Sequence, residues 1–126
     1  MILMIAAFCA FTITAVLGLM IAFNLFRGKF VARSSSILHG ASALLGSALA
    51  IGAALLGETA IYINIVMAVI IIALGVLAAI KRHKTGIVPK GILLVHILLA
   101  VTCYLMLGAT VFLGIDTTAM LGINLA

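Results

Sequence analysis

The sequence has almost no acidic side chains, and this scarcity excludes several kinds of catalytic site. Glu58 and Asp116 are the only carboxylate side chains among 126 residues, and they stand far apart in the chain. No closely spaced pair is therefore available for general acid and base catalysis. The sequence also lacks a glycine-rich phosphate loop and the ligand spacing of a zinc site. We expect no stand-alone catalytic activity.

Cysteine is also scarce, and the chain begins without a basic segment. Cys9 and Cys103 fall in different apolar stretches, where cysteine acts as a small apolar filler more often than as half of a disulfide. The first basic residue is Arg27, so the start lacks the positive region that opens a secretory signal peptide. We expect the first apolar run to be retained as a membrane anchor with its N-terminus outside.

Apolar residues dominate the chain. They make up 67% of it, and the mean hydropathy is +1.55. A bilayer core is spanned by about 20 helical residues, and four such segments occupy nearly the whole sequence. The sequence therefore predicts one all-α membrane domain over residues 1–126, a bundle of four transmembrane helices. We expect helices at about 2–26, 34–57, 59–80 and 89–114, followed by a tail, 115–126, too short to cross again.

Local residues suggest how these helices begin and how they are bridged. Ser34, Ser35 and Ser36 offer hydroxyls that can cap the first turn of the second helix. Asn24 and Asn64 are the notable polar groups within the spans, and we expect each to cap or bridge helices.

All seven Lys and Arg side chains fall in two short stretches, 27–33 and 81–90. Basic residues remain on the cytoplasmic side of membrane proteins, so the sequence predicts two cytoplasmic loops and both termini outside, in a bacterial inner membrane. The charge lies where anionic lipid headgroups attract it, which favours a lipid partner and no nucleic acid. His83 is expected to be a solvated residue of the second loop.

The two halves of the sequence match without a gap when His39 is aligned with His96, a shift called here the repeat offset. At this offset Arg33 corresponds to Lys90, and Gly57 to Gly114, while Leu17-Gly18 matches Leu74-Gly75. This pattern predicts a tandem repeat of two helical hairpins, residues 1–57 and 58–114. Because each half contains two spans, the repeats are parallel and related by an axis along the membrane normal. His39 and His96 should then face each other at one depth.

The histidine pair suggests a metal-binding cofactor. Each histidine follows a basic residue by six positions, about 9 Å along a helix, and ionisable residues at such depth usually face the bundle interior. Two imidazoles from two helices can ligate the iron of haem b, which predicts an electron carrier or haem sensor. Small residues beyond each histidine leave space for the porphyrin, and basic residues can contact its propionates. Beside the metal ligands His39 and His96, the predicted cofactor-binding residues are Ala43, Gly46, Ala100, Arg27, Arg33, Lys84 and Lys90.

A structural role for the histidines is the alternative. A histidine near a helix end can hydrogen-bond a neighbouring helix, and small faces are ordinary in membrane helix packing. The chain would then be a non-catalytic subunit or scaffold that packs against a larger membrane complex. Besides lipid, other membrane subunits or a second copy of the chain are the partners that remain open.

Short motifs around the histidines carry a loose family resemblance. Leu38-His39-Gly40 resembles a motif of small, uncharacterised bacterial four-helix membrane proteins, in which Leu-His-Gly opens the second helix of each hairpin; Val95-His96-Ile97 departs from it. The chain also resembles b-type cytochromes and the membrane anchors of succinate dehydrogenase, whose Ser-Ile-Leu-His-Arg segment lies at a quinone site. Gly40 stands here in place of that arginine, so no quinone residue is implied. Small multidrug transporters are similar in length but rely on an acidic residue in their first helix, which is absent here.

Overall fold

The computed structural model describes residues 1–122, and no strand occurs among them. Its four long helices are α1 (Ile2–Phe26), α2 (Arg33–Leu55), α3 (Tyr62–Thr85) and α4 (Lys90–Leu113). A 3₁₀ turn, Thr59–Ile61, precedes α3, and a short helix, α5 (Thr117–Met120), follows α4. All four long helices are apolar and long enough to cross a membrane. The predicted all-α architecture with four such helices is confirmed, and residues 123–126 of the predicted tail lie outside the described residues.

The end of α3 differs from the prediction. The helix continues through the basic stretch to Thr85, so His83 lies exposed in its last turn and not in a loop. No glycine or proline occurs between Ile80 and Gly86, which adopts a left-handed φ of +69° and donates its N–H to the carbonyl of Arg82 over 2.8 Å. Basic side chains in a last turn also complement the negative end of the helix dipole. The cluster of basic residues therefore belongs to the last turn of α3 and not to the loop that follows.

The start of α2 also differs from the prediction. The helix begins at Arg33 with Ala32 as its N-cap, and no side chain caps it. The backbone N–H groups of Ser35 and Ser36 bond the carbonyl of Ala32 over 3.1 and 3.4 Å. Because this carbonyl starts the helical ladder early, the serines lie inside the first turn, where their hydroxyls cannot act as caps.

The four helices form a ring in which α1 contacts α2 and α4, and α3 likewise contacts α2 and α4. Both hairpin loops, and with them all seven Lys and Arg residues, lie at one end of the bundle, called here the basic end. Glu58 and Asp116 lie at the opposite, acidic end, where Glu58 accepts a hydrogen bond from the Met1 amino group over 2.6 Å. The helices α2 and α4, which carry the two histidines, are diagonal partners.

Packing is closer at the acidic end than at the basic end. The buried core cluster belongs to the acidic half and consists of Met4, Ala7, Ala50, Ala53, Ile61 and Leu107. Alanine lets helix backbones approach closely, which is how membrane helices gain contact. Among residues 1–122, only Ala22 and Val31 are buried between the histidines and the basic end. The interior of the bundle is thus more open on the side of the histidines that faces the basic loops.

A polar network fixes the acidic end. Asn64 Nδ2 donates to the carbonyl of Cys103 on α4 over 2.9 Å, so Asn64 bridges two helices as predicted. The hydroxyls of Thr117 and Thr118 both donate to the carbonyl of Ala60 over 3.0 Å. These bonds hold α5 against the 3₁₀ turn and satisfy backbone groups that lipid could not.

An aromatic cluster joins α1 to α4 on one side of the bundle only. The Phe8 ring stacks on Tyr104 with 4.8 Å between ring centres and meets Phe112 edge-on at 5.1 Å. Thr12 Oγ1 lies 3.0 Å from the Tyr104 hydroxyl. The positions that match the three rings at the repeat offset hold Ile65, Ser47 and Leu55. The corresponding contact between α3 and α2 therefore lacks aromatic packing.

Candidate functional site

The two histidines meet in the interior of the bundle. His39 on α2 and His96 on α4 have ring centres 6.3 Å apart, and their planes are inclined by 62°. Both residues are half-buried. The side chains that the sequence singled out as a pair are thus brought together from two diagonal helices.

Each imidazole is held by the other helix of its own hairpin. His39 Nδ1 lies 2.9 Å from the carbonyl oxygen of Thr14 on α1, and His96 Nδ1 lies 2.8 Å from that of Ile71 on α3. A carbonyl oxygen only accepts, so Nδ1 carries the proton in both rings and donates it. In a neutral imidazole of this tautomer, Nε2 keeps its lone pair for another partner.

Two glycines make room for the imidazoles, and sequence reasoning did not identify them as site residues. A Cβ at Gly18 would lie 2.8 Å from His39 Cε1, and one at Gly75 would lie 3.1 Å from His96 Cε1. Each ring therefore lies against helix backbone where any other residue would crowd it. The signal in the sequence was the match of Leu17-Gly18 with Leu74-Gly75 at the same offset as the histidines.

The surroundings of His39 contain a polar link that those of His96 lack. Thr14 Oγ1 donates to Ser42 Oγ over 2.8 Å, and the Ser42 hydroxyl donates to the carbonyl of His39 over 3.0 Å. The positions that match this pair at the repeat offset are apolar, Ile71 and Leu99. The two imidazoles thus share one geometry but differ in local polarity.

The small residues expected beside the cofactor differ in their surroundings. Gly46 is buried beneath Phe11, whose ring would lie 3.0 Å from a Cβ at this glycine. Phe11 therefore fills the space that the sequence assigned to a porphyrin edge, because a large residue on α1 compensates for a small one on α2. Ala43 and Ala100, one turn beyond each histidine, are half-buried.

The basic residues expected near the cofactor are all exposed at the basic end. Arg27 stacks over the Phe23 ring at 5.0 Å, while Arg33, Lys84 and Lys90 occupy helix ends. Arg82 was not among the predicted residues, yet it is the only Lys or Arg that is half-buried. The spacing of residues along α3 could have identified it.

The site offers the nitrogens of two imidazoles as metal donors. Within residues 1–122 no three His, Cys, Asp or Glu side chains come together, whereas protein zinc sites generally use three or four such ligands. Haem brings four nitrogens of its own and takes two axial imidazoles.

The geometry of the histidine pair is the basis for assigning a function to the chain. No protein-family model matches the chain, and no curated protein or solved structure is detectably similar to it.

Proposed function

We propose that this chain is an integral membrane b-type haem protein in which His39 and His96 ligate one iron, and that it carries electrons or senses haem. The observation that carries the proposal is the close pair of imidazoles, whose ring centres are 6.3 Å apart and each of which has Nδ1 bonded to a carbonyl. Haem, when bound, supplies the one-electron chemistry. The residues of the chain bind it, orient its ligands and limit its contact with water.

The carbonyl bonds support ligation by Nε2. Metal-bound histidines generally donate their second ring N–H to a carbonyl or carboxylate, which fixes the tautomer and increases the basicity of the ligating nitrogen. Thr14 and Ile71 provide such carbonyls at 2.9 and 2.8 Å. The more open packing toward the basic end supports a cofactor in that part of the bundle.

A purely structural role explains less of this geometry. A carbonyl bond would satisfy one nitrogen of a half-buried imidazole, but it gives no reason for two rings to face each other from diagonal helices. The alternative of a non-catalytic subunit that packs against a larger membrane complex becomes the better account if no haem binds.

An absorption spectrum tests the proposal directly. The chain is expressed with added haem, purified in detergent and compared in its oxidised and reduced forms. We expect the sharp reduced bands of a low-spin b-type haem and one haem per chain. A helical, monodisperse protein that stays colourless after haem-supplemented expression and after haem titration would contradict the proposal.

We also infer that the two hairpins arose by tandem duplication, as a parallel repeat of residues 1–57 and 58–114. The support lies in matched contacts: histidine and carbonyl are 25 residues apart in both halves, and both histidines lie against a glycine at the same relative position. In addition, α2 and α4 begin at matched residues, Arg33 and Lys90. A register shift between the helices of either hairpin would have broken these matches.

For topology, we propose that the basic end is cytoplasmic and that both termini lie outside, in a bacterial inner membrane. In a variant without Cys9 and Cys103, we expect Lys29→Cys to resist an impermeant maleimide in intact cells and to react after permeabilisation. Leu56→Cys, which is 79% exposed at the acidic end, is the matched control and should react in intact cells. We expect this orientation because moving basic residues across the membrane is unfavourable. A Lys or Arg at the centre of a membrane helix costs about 2.5–3.5 kcal/mol. The reverse labelling pattern would contradict this orientation.

A further inference from the structure

Arg82 lies on the same face of α3 as the residues that support His96. Asn64 and Ala68 on this face are buried, the Ile71 carbonyl accepts from His96, and Gly75 lies beneath its ring. Arg82 follows Gly75 by seven residues, two helical turns, which returns it to that face. This position explains why Arg82 is half-buried while Lys81, His83 and Lys84 beside it are exposed.

No acidic side chain of the protein is available to Arg82. Glu58 and Asp116 are the only carboxylate side chains in the sequence, and both lie at the opposite end of the bundle. Glu58 bonds the Met1 amino group, while Asp116 caps α5 by accepting from two backbone N–H groups at 3.0 and 2.8 Å. A half-buried arginine beside an apolar interior favours a nearby anion. Because neither acidic side chain lies at this end, a carboxylate or phosphate that pairs with Arg82 would come from another molecule.

Arg82 also has no counterpart in the first half of the chain. The position that matches it at the repeat offset is Leu25, which is likewise half-buried. Only the second hairpin therefore carries a charged residue at this matched position. Arg82 lies about 10 Å along α3 from Gly75. An arginine can reach several ångströms further and can bind a carboxylate or phosphate through two parallel hydrogen bonds.

We propose that Arg82 is the anion-binding residue of the histidine site and holds an acidic group of the ligand bound there. This inference rests on the proposed function: for haem, the acidic group is a propionate carboxylate. A phosphate of an anionic lipid has the same chemistry and could reach Arg82 from the membrane surface. The test separates these two sources.

The first arm measures haem affinity by titration of the haem-free protein. We expect Arg82→Gln to weaken binding by about 10-fold to 100-fold, the loss of a charge-assisted, partly buried pair. Lys81→Gln makes the same charge change one residue away at an exposed position, and it should alter affinity by less than about 3-fold. Haem dimethyl ester, which lacks the free carboxylates, should bind the wild type more weakly than haem, and this difference should disappear in Arg82→Gln.

The second arm uses nanodiscs of phosphatidylglycerol or phosphatidylcholine and measures thermal unfolding of the haem-free protein. If anionic lipid stabilises the wild type and Lys81→Gln but not Arg82→Gln, the occupant is a lipid phosphate. Wild-type protein that binds haem while Arg82→Gln matches Lys81→Gln in both arms would overturn the role of Arg82 and leave haem binding intact. Failure of all variants to bind haem would overturn the proposed function, and the lipid arm alone would then decide whether Arg82 binds an anion.

Discussion

Replacement of either His39 or His96 with alanine is expected to abolish the low-spin haem spectrum. In the proposed site each imidazole would supply one iron ligand, and its loss would leave a high-spin iron with one protein ligand. We expect haem affinity to fall by more than about 100-fold, because changes to groups that merely support a metal ligand already cost about 10-fold to 100-fold. Absorption and electron paramagnetic resonance spectra measure the spin state, and circular dichroism measures whether the helices persist.

His83 provides the matched control for this experiment. It is the third histidine of the chain and lies exposed in the last turn of α3, so His83→Ala should leave the spectrum unchanged. External imidazole should restore part of the low-spin signal in His39→Ala and His96→Ala, because the vacated coordination position is open to it. A low-spin spectrum that survives either substitution without added imidazole would rule out ligation by this pair.

The second large effect is expected from a single methyl group at Gly18. A Cβ there would lie 2.8 Å from His39 Cε1, so the imidazole must move from its place against α1, and we expect its bond to the Thr14 carbonyl to weaken. Gly18→Ala should therefore remove most of the low-spin haem. At Gly75 the same contact with His96 is 3.1 Å, and a shift of a few tenths of an ångström relieves it. Gly75→Ala should retain the haem with a changed reduction potential.

Gly40→Ala separates this steric effect from general effects of alanine in a helix. Gly40 follows His39 directly, and a Cβ there would meet nothing within 4 Å. In α2 the substitution should raise helix stability by about 0.5–1 kcal/mol and leave haem occupancy unchanged. If Gly18→Ala and Gly40→Ala retain haem equally, the glycine does not position the imidazole, and the supporting geometry must be assigned to the carbonyl alone.

Much of the architecture could be predicted from sequence because long apolar runs leave few choices of secondary structure. Apolar runs of this length form helices, since nothing else satisfies the backbone in a bilayer, and α1 occupies the predicted range, Ile2–Phe26. Helix ends were harder to predict. The stretch Lys81–Lys84 indicates the end of a membrane span, but a helix can continue into the headgroup region until a residue such as Gly86 stops it.

The site was only partly accessible to sequence reasoning. The repeat offset that pairs His39 with His96 also pairs Gly18 with Gly75. What the offset does not reveal is which helix each ring contacts, because that depends on the rotation of neighbouring helices. Gly46 illustrates this limit. The space beside this glycine was interpreted as room for a cofactor, yet the Phe11 ring from the neighbouring helix lies there. Compensation between large and small residues on two helices is set by packing and leaves no trace in the spacing of one helix.

The way each histidine is held has a consequence for assembly. Nδ1 of His39 bonds a carbonyl on α1, and Nδ1 of His96 bonds a carbonyl on α3, so each hairpin provides the bond that orients its own imidazole. The distance between the two rings then depends on how one hairpin docks on the other. The aromatic contact between Phe8 and Tyr104 lies on that docking surface, far from the imidazoles. Substitutions there can change the spacing of the two imidazoles without touching either histidine or the carbonyl that holds it.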